Sequence, residues 1–302
     1  MVTRGSNPVK IVEVGPRDGL QSESSPIETS NKIELIRRLH AAGLDRIEVT
    51  SFVRADRIPQ LADGPAVAEA VVSLPGLRSI ALAPNRRGLE AAAAAGVHEV
   101  AVFGAASEEF SKRNINRTVD ESIAMFAEVA REAIALGLGV RGYVSTVMGC
   151  PYQGDVPFDD VKRLVAAFSE MGCCEVSVAD TIGVGRPHRV HALFDELADV
   201  GDVATMAFHG HDTYGMGLAN ALAALDAGVP TIDSSVGGLG GCPFAGPKAK
   251  GNLATEDLVY ALIGSDRDPG IDLDALVDTA WWISDQLGRA PRSSVATAVG
   301  SR

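Results

Sequence analysis

Short apolar runs rich in β-branched residues punctuate the chain at Lys10–Val14, Arg46–Phe52, Ser79–Ala83, Val97–Phe103, Val140–Thr146, Cys174–Ala179, Val203–Phe208 and Thr231–Val236. Each run is continuous rather than alternating, as strands buried on both faces require. Between most of them lie stretches of helical period. In TSNKIELIRRLHAAG, Ile33, Ile36, Leu39 and Leu44 share one face, Ser30 is the expected N-cap and Gly43 the residue past the C-cap. Eight strands with intervening helices and no break in composition predict a single α/β domain, a closed (β/α)8 or TIM barrel over about residues 8–265. An open doubly wound sheet would show fewer strands or a second domain. LATEDLVYALIG reads as the closing helix, and about residues 271–288 as an additional C-terminal helical segment.

Composition narrows the function. The 302 residues are 46% hydrophobic and only 5% aromatic, which suits helices packed closely on parallel strands. A formal charge of −12 argues against a nucleic-acid surface, which needs a basic stripe. There is no run of about 18 apolar residues to span a membrane, and MVTRGSNPVK lacks an apolar signal core. The expectation is a cytoplasmic protein with reduced thiols. Cys173 and Cys174 are expected to be small buried residues in a strand, and Cys150, before Pro151, to sit in a turn. The GVG and GGLGG stretches do not follow the first strand in a GxGxxG pattern, which disfavours a dinucleotide site.

In a barrel of this kind the chemistry collects at the C-terminal ends of the strands. Strand one ends in Arg17-Asp18, strand two carries Glu48 and ends near Ser51, strand five holds Arg141 and Tyr143, strand six Ser177, and strand seven ends His209-Gly210-His211. Two residues apart on a strand, both imidazoles face one side. With Asp18 on a neighbouring wall they make a candidate divalent-metal site. Arg17 either stabilises a developing enolate oxygen or pairs with Glu48. Glu48 in turn either orients Arg17 or moves a proton. Cys242, in a glycine-rich loop, looks like an acid delivered by a lid.

The segments VGPRDGLQ, IEVTSFV, VFGAASEEFSKRNIN, RGYVSTVMGCPYQG, DTIGVG, FHGHDTYGMGLANALAAL, SSVGGLGGCPF and GNLATEDLVY together resemble the 3-hydroxy-3-methylglutaryl-CoA lyase family of barrel metallolyases. The resemblance implies cleavage of that thioester to acetyl-CoA and acetoacetate with Mg²⁺ or Mn²⁺, in a homodimer acting on a small acyl-CoA. It implies Asp18, His209, His211 and Asn252 as metal ligands, Arg17 as the group polarising the thioester-side oxygen, and Cys242 as the acid that protonates the enolate. Gln21, Ser51, Arg141 and Ser177 are expected around the substrate, with Arg17. The proton of the C3 hydroxyl could pass to His209, Tyr143 or a metal-bound water.

The chain departs from this pattern in two places. CPFAGPKAKGN is one residue longer than the usual loop and carries Lys248 and Lys250, and LQSESS lacks the basic residue expected near Ser24. Both changes bear on which acyl group is accepted, so another tertiary 3-hydroxyacyl-CoA is the alternative substrate. A non-catalytic acyl-CoA-binding barrel is the alternative of a different class. The Trp281-Trp282 pair either meets a partner subunit or packs on the barrel.

Overall fold

In the computed structural model, which describes residues 8–241 and 251–300, eight parallel strands close into one barrel in sequential order. They are β1 (Lys10–Glu13), β2 (Arg46–Ser51), β3 (Arg78–Leu82), β4 (Glu99–Ala105), β5 (Gly139–Ser145), β6 (Glu175–Asp180), β7 (Met206–Gly210) and β8 (Thr231–Ser234). The ring shuts where Lys10–Glu13 pair with Thr231–Ser234. Around it run α1 (Thr29–Ala41), α2 (Gly64–Val71), α3 (Arg86–Ala94), α4 (Glu108–Ile115), α5 (Val119–Ala135), α6 (Phe158–Glu170), α7 (Pro187–Leu197), α8 (Gly217–Asp226) and α9 (Thr255–Leu262). Two further helices, α10 (Leu273–Gln286) and α11 (Ser294–Val299), complete the C-terminal segment. Among the described residues no helix is long and apolar enough to cross a membrane.

The strand expectations hold to within a few residues, with instructive exceptions. Val203–Thr205 form a 3-10 turn capped by Asp202, so β7 starts only at Met206. The first helix starts one residue earlier than its expected cap. Glu28, not Ser30, holds the N-cap position, and its side chain makes no capping bond. Thr29 and Lys32 are instead drawn to Asp63, at 2.8 Å each, which ties α1 to the next βα unit. Cys173 and Cys174 lie in the turn before β6, so Cys174 is exposed and Cys173 half-buried rather than core. Burial still pushes the Cys173 thiol up to about 12. The tryptophans pack within the chain. Trp281 donates its indole N–H to the Ala296 carbonyl at 3.0 Å, and the Arg38 guanidinium stacks 4.7 Å from Trp282.

Inside the ring the walls differ. Val12, Val14, Ile80, Leu82 and Ala101, from β1, β3 and β4 with the turn after β1, form an apolar cluster that Tyr143 joins from β5. Branched residues of this sort are the ordinary filling of such a barrel. The opposite wall is ionic: Arg141, Glu175, His209 and Asp233 come from β5, β6, β7 and β8 and are all buried. Aliphatic packing cannot replace them one at a time without stranding a charge.

Candidate metal centre and active site

The C-terminal end of β1 turns at once into a π-helical stretch, Gly15–Gly19, with Pro16 in its first turn. This geometry lets two consecutive side chains, Arg17 and Asp18, serve one site, which an extended strand would not. Glycine is required at both ends. A Cβ on Gly15 would stand 2.5 Å from a Glu13 carboxylate oxygen, and one on Gly19 would stand 2.8 Å from Leu239 and Ser235. The turn is thereby pressed against the segment that follows β8.

Asp18, His209 and His211 converge, with one donor atom from each lying within 4.8 Å of the others. His211 sits just past β7 and forms an antiparallel bridge with Asn252, which brings Asn252 into the group. Its amide N–H donates to Asp18 Oδ2 at 2.9 Å and to the Leu239 carbonyl at 3.2 Å. That orientation leaves Asn252 Oδ1 buried with no partner among the described residues, and His211 Nδ1 is buried in the same condition. Orphaned buried acceptors are costly. A cation would satisfy both.

The protonation states of Asp18 and His211 suit a cation as well, whereas Asp233 and Asp18 raise the pKa of His209 against the effect of burial. Burial opposes ionisation of Asp18, but Arg17, His209, His211 and the Asn252 amide outweigh it and bring the carboxyl to about 2. Burial, reinforced by His209, drops His211 to about 4, so its imidazole is neutral near pH 7. One carboxylate, two imidazoles and an amide oxygen form a donor set without thiolates, which fits a harder divalent ion such as Mg²⁺ or Mn²⁺.

Arg17 lies beside this group and is itself buried. Its guanidinium reaches Asp18 Oδ1 and Glu48 Oε2, both at 2.7 Å, while its Nε–H has no partner among the described residues. Glu48 is fully buried, and that burial raises its pKa despite the ion pair. The expected Arg17–Glu48 pair is therefore present, and Arg17 still keeps a free donor. Tyr143 meets Glu48 Oε2 at 3.4 Å and stands edge-on to His209. Burial, with Glu48 and Asp233 nearby, pushes its phenol well above its ordinary value.

Ser51 is buried with a hydroxyl that has no partner among the described residues, and Gln21 is half-buried just beyond the π-helical turn. Arg141 and Ser177, expected against the substrate, both meet Asp233. Arg141 is fully buried and forks onto Asp233 at 2.7 and 3.1 Å, and Ser177 donates to the same carboxylate at 2.9 Å. Ser177 pairs with Ala207, two residues before His209 on β7, so it lies deeper in the barrel than the metal ligands. Cys242, Lys248 and Lys250 fall outside the described residues.

Two carboxyls to which the sequence assigns no role frame the site. Glu13 accepts from Gly15 and Val236 N–H at 2.8 and 3.0 Å and from the Thr255 hydroxyl at 2.6 Å, joining the turn after β1 to the start of α9. Glu256 accepts the Gly237 N–H at 2.9 Å. Burial raises Glu13 to about 7 and Glu256 to about 8. Unfolded, the Glu256 carboxyl would lose its proton near 4.5, whereas the fold retains it to about 8. The folded state then binds the extra proton, so stability falls as pH rises through that window, by at most about 1.4 kcal/mol per unit. Glu256→Gln mimics the protonated acid. Urea denaturation is expected to show the variant gaining stability relative to wild type between about pH 5 and pH 9. Parallel pH profiles would refute the assignment.

The C-terminal segment supplies cations at the rim where LQSESS lacks one. Arg289 meets Glu23 at 2.5 Å, and Arg292 donates to the Gly240 carbonyl.

Comparison with known proteins adds a consistent picture. A family model described as HMGL-like matches residues 8–283. The mitochondrial hydroxymethylglutaryl-CoA lyase of Bos taurus is 49% identical over 290 residues, covering 96% of this chain and 89% of the relative. The hydroxymethylglutaryl-CoA lyase of Pseudomonas mevalonii is 48% identical over 294 residues, covering 97% of each. The crystal structure of hydroxymethylglutaryl-CoA lyase from Pseudomonas aeruginosa superposes with a TM-score of 0.94 at 48% identity, again over 97% of each chain.

Proposed function

The chain belongs to the HMGL-like family, and from that premise we propose that it is a divalent-metal lyase cleaving 3-hydroxy-3-methylglutaryl-CoA to acetyl-CoA and acetoacetate. The observation that carries the reading is the convergence of Asp18, His209 and His211 beside Arg17, with acceptors on His211 and Asn252 unpartnered among the described residues.

Breaking the carbon–carbon bond requires the C3 hydroxyl to pass its proton to one of the expected acceptors, His209, Tyr143 or a water, and the departing carbon to become an enolate. Asp18, His209, His211 and Asn252 would hold Mg²⁺ or Mn²⁺, which would supply Lewis acidity to the C3 hydroxyl when bound. Arg17 directs its Nε–H, unpartnered among the described residues, at the thioester-side oxygen, where negative charge grows as the bond breaks. Glu48 holds the guanidinium in that attitude through their 2.7 Å ion pair. Gln21 and Ser51 line the acyl pocket. Cys242 protonates the enolate carbon, and Cys242→Ser is expected to lose most of kcat at nearly unchanged KM. A rise in KM alone would make Cys242 a binding residue instead.

The substrate assignment is tested by incubating metal-loaded protein with a panel of 3-hydroxyacyl-CoA thioesters. Acetyl-CoA should appear fastest from the 3-hydroxy-3-methylglutaryl thioester, fall to background in EDTA and return on adding Mg²⁺ or Mn²⁺. Faster release from a longer branched or citramalyl-type thioester would move the substrate. No release from any would leave a binding barrel.

A further inference from the structure

The ionic wall of the barrel ends on a metal ligand. Asp233 is fully buried and receives donors on both oxygens: Arg141 Nη2 on Oδ1 at 2.7 Å, and Arg141 Nη1, Ser177 Oγ and His209 Nδ1 on Oδ2 at 3.1, 2.9 and 3.3 Å. Arg141 cannot swing away, because its Nε–H is fixed on Glu175 Oε1 at 2.7 Å. Glu175 is pinned in turn by the Thr231 hydroxyl at 2.8 Å and by Arg46 at 3.1 Å. Arg46 continues to Glu99, and Glu99 to Arg78, at the N-terminal ends of the strands. There the column reaches a cavity of about 500 Å³. Alternating charges thus run from one mouth of the barrel to His209.

We propose that Asp233 is a positioning residue for the metal centre and that Arg141 and Glu175 lock it in place, so that the column dictates which nitrogen of His209 faces the cation. The reason is chemical. A carboxylate only accepts, so the ring nitrogen facing Asp233 must carry a proton. A neutral imidazole has one N–H, and with it on Nδ1 the lone pair is on Nε2, ready for a metal. Without the anion, the proton is free to move to Nε2 and block the ligand. A carboxylate held by one flexible contact could rotate with the ring. Asp233, forked by Arg141, cannot.

The proposal rests on the metal-centre reading above, and the test separates the two. On the intact protein, Mn²⁺ binding is followed by electron paramagnetic resonance for wild type, His211→Ala, Asp233→Asn and the pair Arg141→Gln/Asp233→Asn. The pair removes one positive and one negative charge together, so neither is left stranded if Asp233→Asn alone fails to fold. Asp233→Asn and the pair should each bind Mn²⁺ roughly 10–100-fold more weakly. Wild-type affinity in the pair would overturn the proposal and make the column merely structural. His211→Ala binding Mn²⁺ normally would instead sink the metal-centre reading itself. Independently, ¹⁵N histidine spectra of metal-free wild-type protein at about pH 9 should show His209 as the Nδ1–H tautomer. Finding the Nε2–H form would also overturn the proposal.

Discussion

Replacing His211 by alanine is expected to abolish cleavage and metal binding together. His211 contributes a neutral imidazole whose Nδ1 is buried and has no partner among the described residues, and its backbone bridge to Asn252 brings a second oxygen donor to the site. Loss of a Lewis acid worth several kcal/mol lowers kcat/KM on the order of 10³-fold or more. The same variant should lose the stabilisation that metal confers. A ligand at a hundred times its Kd stabilises the native state by about 2.7 kcal/mol. Thermal unfolding with and without Mn²⁺ should therefore separate for wild type and coincide for His211→Ala. A variant that keeps both turnover and the metal-dependent shift would remove His211 from the site.

Arg17→Met is expected to have the next largest effect, on two independent scales. Turnover should fall roughly 10²- to 10³-fold, the usual consequence of deleting one donor to a developing oxyanion, with KM little altered. Stability should fall as well, because Glu48 becomes a buried carboxylate without its cation, a loss of about 3–5 kcal/mol. The two effects can be uncoupled. Adding Glu48→Gln neutralises the stranded carboxylate and should restore much of the melting temperature, whereas turnover stays low. If turnover recovers with stability, Arg17 acts only by holding the barrel together.

The barrel and the His209–His211 pair were legible in the chain because both rest on short periods. Continuous apolar runs mark strands covered on both faces, and a spacing of two puts side chains on the same side. Asn252 carries no such signal. It reaches His211 across a loop, by a bridge that no spacing encodes. Arg141 and Ser177 show a different limit. Alternation identifies an inward-facing residue but not its depth along the barrel axis, and both lie below the metal ligands with their polar atoms on Asp233. Asp233 itself had a readable sign, a charge within the apolar run of the eighth strand. A buried charge demands a partner, and the fifth strand offers Arg141. The helix α11 carries no readable signal because six residues give too little period.

The ionic wall also has a consequence for how the chain folds. Arg46 of β2 meets Glu175 across 129 residues, Arg141 meets Asp233 across 92, and Glu13 meets Thr255 across 242. A chain ending after β4 would lack Val236 and Thr255, which bind the Glu13 carboxyl in the closed barrel. It would also hold Arg46 with Glu99 alone. Such half-barrels are poor resting places, so closure through β8 is the step that makes earlier strands worth burying. Denaturation should then proceed as one concerted transition, with helical signal and Mn²⁺ binding lost at the same urea concentration.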